Sequence, residues 1–201
     1  MKSILFDLDG VLVDACDWHY EALNRALKQV ANYEITRQDH EDYYNGLPTF
    51  TKLSTLEKLG IIAPEDIQKV SDLKQKYTLE VIEELCVKDE SKVKLMQTLQ
   101  EKGYKIGVVT NSIHKTAKLM LGKIGVLHMI NTLISNEDTD RNKPYPDPYI
   151  IAIHLLKSTH VETIIVEDSI KGITSAKASG ASVLEVKNAT EVNLNLFRDI
   201  I

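Results

Sequence analysis

Residues 4–14 read ILFDLDGVLVD, and the fold turns on them. Ile4, Leu5 and Phe6 make a continuous apolar run, the pattern of a strand buried on both faces of a parallel sheet. Asp7 and Asp9 follow two residues apart, with Gly10 behind them. An Asp-Gly pair after a strand is ordinarily a turn signal. Two carboxylates held about 4 Å apart at an effective dielectric of about 20 repel by roughly 4 kcal/mol. A fold that keeps both needs positive charge close by, and the rest of the chain has to supply it.

Runs of the same apolar kind recur at KIGVVT (105–110), TLIS (132–135), TIIVE (163–167) and SVLEV (182–186), with SILF (3–6) as the first. Helical segments lie between them. Ser112 is placed to cap a helix through Leu119, Met120 and Ile124, with Gly125 at its end. Asp147-Pro148 reads as the N-cap and first position of a helix through YIIAIHLL. Ser169 is placed to cap a helix through Ile173 and Ala176, stopped by Gly180. This alternation predicts an α/β domain with a Rossmann-like, doubly wound parallel sheet.

One interval breaks the rhythm. In the first helix after the opening strand, Leu23, Ala26, Leu27 and Val30 share a face. Residues 36–44, 50–59 and 64–86 suggest others, with Gly46-Leu47-Pro48 as a break. The expected organisation is a core of residues 1–15 and 87–201 with an inserted α-helical cap of residues 16–86. An insert on the carboxyl end of a strand lies where α/β sheets bind ligands, the place for a lid.

The polar residues share one address, the carboxyl ends of the expected strands. They are Asp7 and Asp9, then Thr110, Asn111 and Ser112, then Lys143, then Glu167, Asp168 and Ser169. Converging there, they would combine carboxylates, one lysine and helix N-termini. The carboxylates suit a hard divalent cation such as Mg²⁺, which takes oxygen ligands and keeps waters. The lysine and the backbone amides suit an anion such as a phosphate. Together they describe a phosphoryl-transfer site.

DLDGVLVD (7–14), VVTNS (108–112), KPYPDPY (143–149) and VEDS (166–169), in that order, resemble the four motifs of the haloacid dehalogenase-like superfamily. The resemblance spans about residues 3–187 and includes the cap. It is strongest to the group similar to phosphoglycolate phosphatase and β-phosphoglucomutase. It implies that Asp7 is a nucleophile forming an aspartyl-phosphate and that Asp9 is the general acid and base. It implies that Thr110, Asn111 and Lys143 hold the phosphoryl group, and that Asp7, the Asp9 carbonyl, Asp168 and Glu167 bind Mg²⁺. It also implies that Asp9 favours phosphate chemistry, since an alkoxide leaving group needs a proton and a halide does not.

In the cap the resemblance points to His19 as a hinge residue and to the loop around Tyr43, Tyr44, Asn45, Gly46 and Thr49 as the substrate reader. The arginine with which the mutases grip a second phosphate is replaced near Thr49, with Lys52 as a substitute, which favours hydrolysis over mutase chemistry. Asp14 is read as a cap of the first helix or a brace of the loop, and His114 as helix surface.

The chain has 201 residues, 43% hydrophobic and 26% charged, with a formal net charge of −5. That weak acidity argues against nucleic acid as a partner. Cys16 and Cys86 have no paired spacing and are expected to be free thiols. No apolar run reaches the ~20 residues of a membrane helix, and the apolar start is too short for a signal peptide. Asn188-Ala189-Thr190 matches a glycosylation acceptor but stands without a secretory signal. The six histidines show no metal-ligand pairing.

The expectation is therefore a cytoplasmic Mg²⁺-dependent phosphatase of a small phosphorylated metabolite, a sugar phosphate or organic acid phosphate, acting as a monomer or weak dimer. The alternatives are a hexose phosphate mutase and a phospho-accepting regulatory module.

Overall fold

The computed structural model describes residues 2–44 and 47–200. The chain divides into two compact units, Met1–Asp14 with Cys86–Ile201, and Ala15–Leu85. Strand β1 (Ser3–Phe6) is buried at all four residues, as its unbroken apolar run requires. The chain then enters the second unit, whose boundaries fall one residue before those read from the sequence.

That unit is helical. Helix α1 (Cys16–Ala31) buries Ala22, Leu23, Ala26 and Leu27 and closes on Asn32, whose φ of 49° is left-handed. It begins without a side-chain cap bond, so Asp14 does not cap it. The return loop is sewn to α1 by Asn24, whose amide donates to the Ile35 carbonyl at 3.0 Å and accepts from the Ile35 amide at 2.9 Å. A single turn, α2 (Arg37–Asp39), passes into a π-helical segment at His40–Tyr44. Asn45 and Gly46, in the expected break and substrate-reading loop, lie outside the described residues.

Helix α3 (Thr49–Lys58) and a 3₁₀ turn at Pro64–Asp66 lead into α4 (Ile67–Leu85). Leu23, Leu27, Ile35, Tyr44, Leu53, Leu56, Ile62 and Val70 form the core of this unit. Each large apolar side chain so buried contributes roughly 1.5–3 kcal/mol.

In the first unit, α5 (Glu90–Glu101) packs on β2 (Lys105–Val109). The sequence reading did not single out α5, which opens on an Asp89 cap bonded to the amides of Ser91 and Lys92. Then follow α6 (His114–Lys123), β3 (Thr132–Ile134), α7 (Asp147–Leu155), β4 (Thr163–Glu167), α8 (Ile170–Ala178) and β5 (Ser182–Glu185). The strands lie in the order β3-β2-β1-β4-β5, and every pair is parallel.

Leu5, Val109, Ile134 and Ile165 of the sheet cluster with Tyr149, Ala152, Ile153 and Leu156 of the α7 region and with Ala176 of α8. The expected α/β core is thus observed. It extends past the recognised motifs: Phe197 is fully buried, edge-on to Phe6 at 6.0 Å. The buried Lys92 ammonium donates to the carbonyls of Ala189 and Val192 at 2.6 and 2.8 Å, holding the C-terminal turns.

Two local expectations change. Helix α6 starts at His114 after Ile113, without a side-chain cap. The Glu137 carboxylate takes the His114 amide at 2.7 Å instead, so Ser112 is released for another partner. Helix α7 begins at Asp147 itself, one residue earlier than read, and the Asp147 carboxylate pairs with Arg141 at 2.8 Å. Ser169 caps α8 as expected, accepting from the Gly172 amide at 3.1 Å.

Candidate active site

The parallel register sets the site. Phe6 aligns with Val108 and with Val166, and Val109 with Ile134. The strands therefore end together, and the residues after them gather at one edge. The Asp7 amide donates to the Val166 carbonyl at 3.0 Å, and the Thr110 amide to the Ile134 carbonyl at 2.9 Å.

After β1 the chain turns tightly, with the Leu12 and Val13 amides both donating to the Leu8 carbonyl. Gly10 sits in this turn with φ +86°. A Cβ there would lie 2.1 Å from Asp168 Oδ2, so glycine is what lets the turn close on that carboxylate.

Lys143 is the positive charge that the opening stretch demanded. Its ammonium donates to Asp7 Oδ1 at 2.8 Å, to Glu167 Oε1 at 2.6 Å and to the Val109 carbonyl at 2.7 Å. All three of its N–H groups are used. The Lys143–Pro144 peptide is cis. Burial alone would lower the lysine pKa, but the charges of Asp7 and Glu167 outweigh it and hold the pKa raised. Burial, and then the Glu167 charge, push Asp7 well above the usual carboxylate range, while Lys143 pulls the other way.

Asp9 is held from the β2 end. Its Oδ2 accepts from Ser112 Oγ at 2.9 Å and lies 3.5 Å from Thr110 Oγ1. Thr110 Oγ1 accepts the Ser112 amide at 3.0 Å. Asn111 donates its amide to the Lys143 carbonyl at 3.2 Å, bracing the lysine's loop. Ser112 is the site residue that sequence reasoning placed wrongly. A serine just before a helix looks like its cap, and only the fold brings Asp9 to it.

Glu167 is fully buried, and both its oxygens are engaged. Oε1 accepts from Lys143 and from the Tyr149 hydroxyl at 2.6 Å each. Oε2 accepts from the Asp168 amide at 3.2 Å and Ser169 Oγ at 3.4 Å.

Asp7, Glu167 and Asp168 each offer a carboxylate oxygen within 4.8 Å of the others. Asp168 Oδ1 is buried with no hydrogen-bond partner among the described residues. Burial, and then Glu167, raise the Asp168 pKa to about 6. An orphaned carboxylate oxygen, a glycine that makes room beside it and a surplus of acids over one lysine fit a hard divalent cation.

In the helical unit, His19 lies on α1 and Thr49 opens α3. His19 Nδ1 is 3.5 Å from the Lys74 ammonium. Lys52 is 8% exposed. Burial, and then Lys74, lower its pKa to about 8. Cys16 and Cys86 form no disulfide. No described helix is long and apolar enough to cross a membrane.

The model of the haloacid dehalogenase-like hydrolases matches residues 4–186. A provisionally named pyrophosphatase PpaX of Caldanaerobacter subterraneus is 29% identical over 189 residues, spanning 93% of this chain and 82% of that protein. The pyrophosphatase PpaX of Anoxybacillus flavithermus is 26% identical over 186 residues, spanning 92% and 83%. Among solved structures, β-phosphoglucomutase from Clostridium difficile superposes with a TM-score of 0.80 at 19% identity, covering 99% of this chain and 96% of that one. That likeness speaks for the fold. With four motifs at one sheet edge and a family match over nearly its whole length, the chain belongs to the haloacid dehalogenase-like hydrolases.

Proposed function

We propose that the enzyme is a phosphatase that hydrolyses a small phosphorylated metabolite through an aspartyl-phosphate on Asp7. The observation that carries this is the held pair: Asp7 fixed by Lys143 at 2.8 Å, and Asp9 fixed by Ser112 at 2.9 Å. Lys143 occupies Asp7 Oδ1, so Oδ2 is the oxygen assigned to attack. An O–P bond forms from Asp7 as the ester P–O bond breaks, and Asp9 gives its proton to the leaving oxygen. Water then attacks phosphorus and returns a proton to Asp9, and the Asp7–phosphate bond breaks. This is general acid–base and covalent catalysis by two carboxylates with separate partners. Thr110 is assigned to hold the phosphoryl oxygens and Lys143, whose N–H groups are already bonded, to offset their charge, with Asn111 as the brace of Lys143.

Asp7, Asp168 and the Asp9 carbonyl would hold Mg²⁺, with Glu167 at the edge of the set because its oxygens are already bonded. The cation would supply positive charge to the phosphoryl oxygens. The lysine and the protein's own donors do the positioning that phosphoryl transfer needs.

The substrate reading is a phosphomonoester, a sugar phosphate or organic acid phosphate. The names of the curated relatives favour a second reading, inorganic pyrophosphate. A mutase reading is served only by fold likeness.

One experiment separates them: phosphate release from a panel of monoesters and from pyrophosphate, with Mg²⁺ and with chelator. Release that needs Mg²⁺ is expected, and chelator-insensitive turnover would overturn the metal assignment. Glucose 6-phosphate accumulating from β-glucose 1-phosphate would overturn hydrolysis in favour of the mutase.

A further inference from the structure

Tyr149 is among the largest side chains with no exposure, yet it ends in a hydroxyl. Phenylalanine would fill the same space without needing a hydrogen-bond partner, so a buried phenol asks for a reason. Its hydroxyl donates to Glu167 Oε1 at 2.6 Å. The same oxygen accepts from the Lys143 ammonium at 2.6 Å. That ammonium also lies 4.9 Å from the centroid of the Tyr149 ring, within cation–π range. One side chain thus touches both the lysine and the carboxylate that aims it. Burial, and then the Glu167 charge, hold the phenol pKa well above its ordinary value, so the hydroxyl stays a donor.

The other side of the carboxylate is closed too. A Cβ on Gly172 would lie 2.0 Å from both Glu167 oxygens, so the glycine backbone packs directly against them. The terminal torsion of a glutamate is intrinsically broad. Here it is clamped between a phenol and a glycine. The lysine has no spare N–H to hold itself in another way, so its direction depends on where Glu167 points. Donation from the phenol also draws charge from Oε1. That weakens Glu167 as a competitor with Asp7 for the ammonium.

We infer that Tyr149 is a positioning residue for the reaction: through Glu167 and the ammonium of Lys143, it fixes the positive charge that meets the Asp7 carboxylate. This rests on the phosphatase reading of the same site.

The test compares the full-length parent with Tyr149→Phe in Mg²⁺, with p-nitrophenyl phosphate as substrate. Losing a hydrogen bond to a charged group should lower kcat by about tenfold, with KM changed by less than about twofold. A packing role would instead lower the melting temperature and leave kcat at the parental value.

The second readout does not depend on turnover. In protein labelled with ¹⁵N-lysine, the Lys143 ammonium gives a slowly exchanging signal, assigned by its loss in Lys143→Arg. In Tyr149→Phe that signal should shift or exchange faster, while the Lys92 signal stays. An unchanged kcat or an unmoved Lys143 signal overturns the inference. If the parent itself releases no phosphate from any ester, the phosphatase reading fails, and the ammonium signal still decides whether Tyr149 holds Lys143.

Discussion

The two units bury charge in opposite ways. In the α/β unit, acids are buried around one lysine: Asp7 and Glu167 meet Lys143 at 2.8 and 2.6 Å, and a buried oxygen of Asp168 has no hydrogen-bond partner among the described residues. The surplus there is negative. In the helical unit, bases are buried instead. His40 is 2% exposed, and its Nε2 has no hydrogen-bond partner among the described residues. Burial, and then Lys52 and Arg37, push its pKa down to about 4. Lys52 is lowered to about 8 by burial and then by Lys74. Desolvation acts on both units and disfavours the charged form in each. The α/β unit keeps Lys143 charged by pairing it, whereas the helical unit lets His40 go neutral. The first arrangement holds charge in readiness for chemistry. The second only accommodates a polar group inside an apolar core.

Breaking the paired arrangement should have the largest effects. Asp7→Asn removes the proposed nucleophile but keeps an acceptor for Lys143. Turnover of an aryl phosphate should fall by at least about a thousandfold, with the fold intact by circular dichroism. Near-parental activity would remove Asp7 from the role assigned to it.

Lys143→Met takes away the cation and leaves buried carboxylates facing each other. Stability should drop by roughly 3–5 kcal/mol, read as a lower urea midpoint at pH 7. An unchanged midpoint would show that the lysine is not what offsets the acids.

The helical unit offers a smaller and sharper test. The ordinary value for His40 is 6.5 and its folded value about 4, so between these the unfolded chain binds the extra proton. Stability should therefore fall as pH drops through that window, and the contribution is absent above it. His40→Phe should flatten this part of the melting-temperature profile. A slope identical to the parent's would mean that His40 is not held neutral by burial.

Much of this was legible in the chain. Each expected strand appears, because a strand covered on both faces leaves an unbroken apolar run. The helical insert stands where the strand pattern lapses. Asp7, Lys143, Glu167 and Asp168 do meet, since motifs at parallel strand ends must share an edge. The failures were also physical. Ser112 carries the local signature of a helix cap, but its hydroxyl goes to Asp9, 103 residues away. Helix α5 lies between the first two motifs and the buried Phe197 beyond the last, so neither is carried by a motif. Tyr149 sits in an apolar run and looks like packing until its hydroxyl is seen on Glu167.

The order of the strands, the helical insert and the set of charged residues at the strand ends follow from the sequence alone. Those follow from periodicity and turn chemistry, which act over a few residues. The fold alone sets which carboxylate Lys143 and Ser112 each take, that both Glu167 oxygens are bonded, and that Asp168 Oδ1 has no partner among the described residues. Those depend on hydrogen bonds across strand register, between residues that no local pattern relates. ILFDLDGVLVD thus announces two acids after a strand, and the register of the neighbouring strands hands one to Lys143 and the other to Ser112.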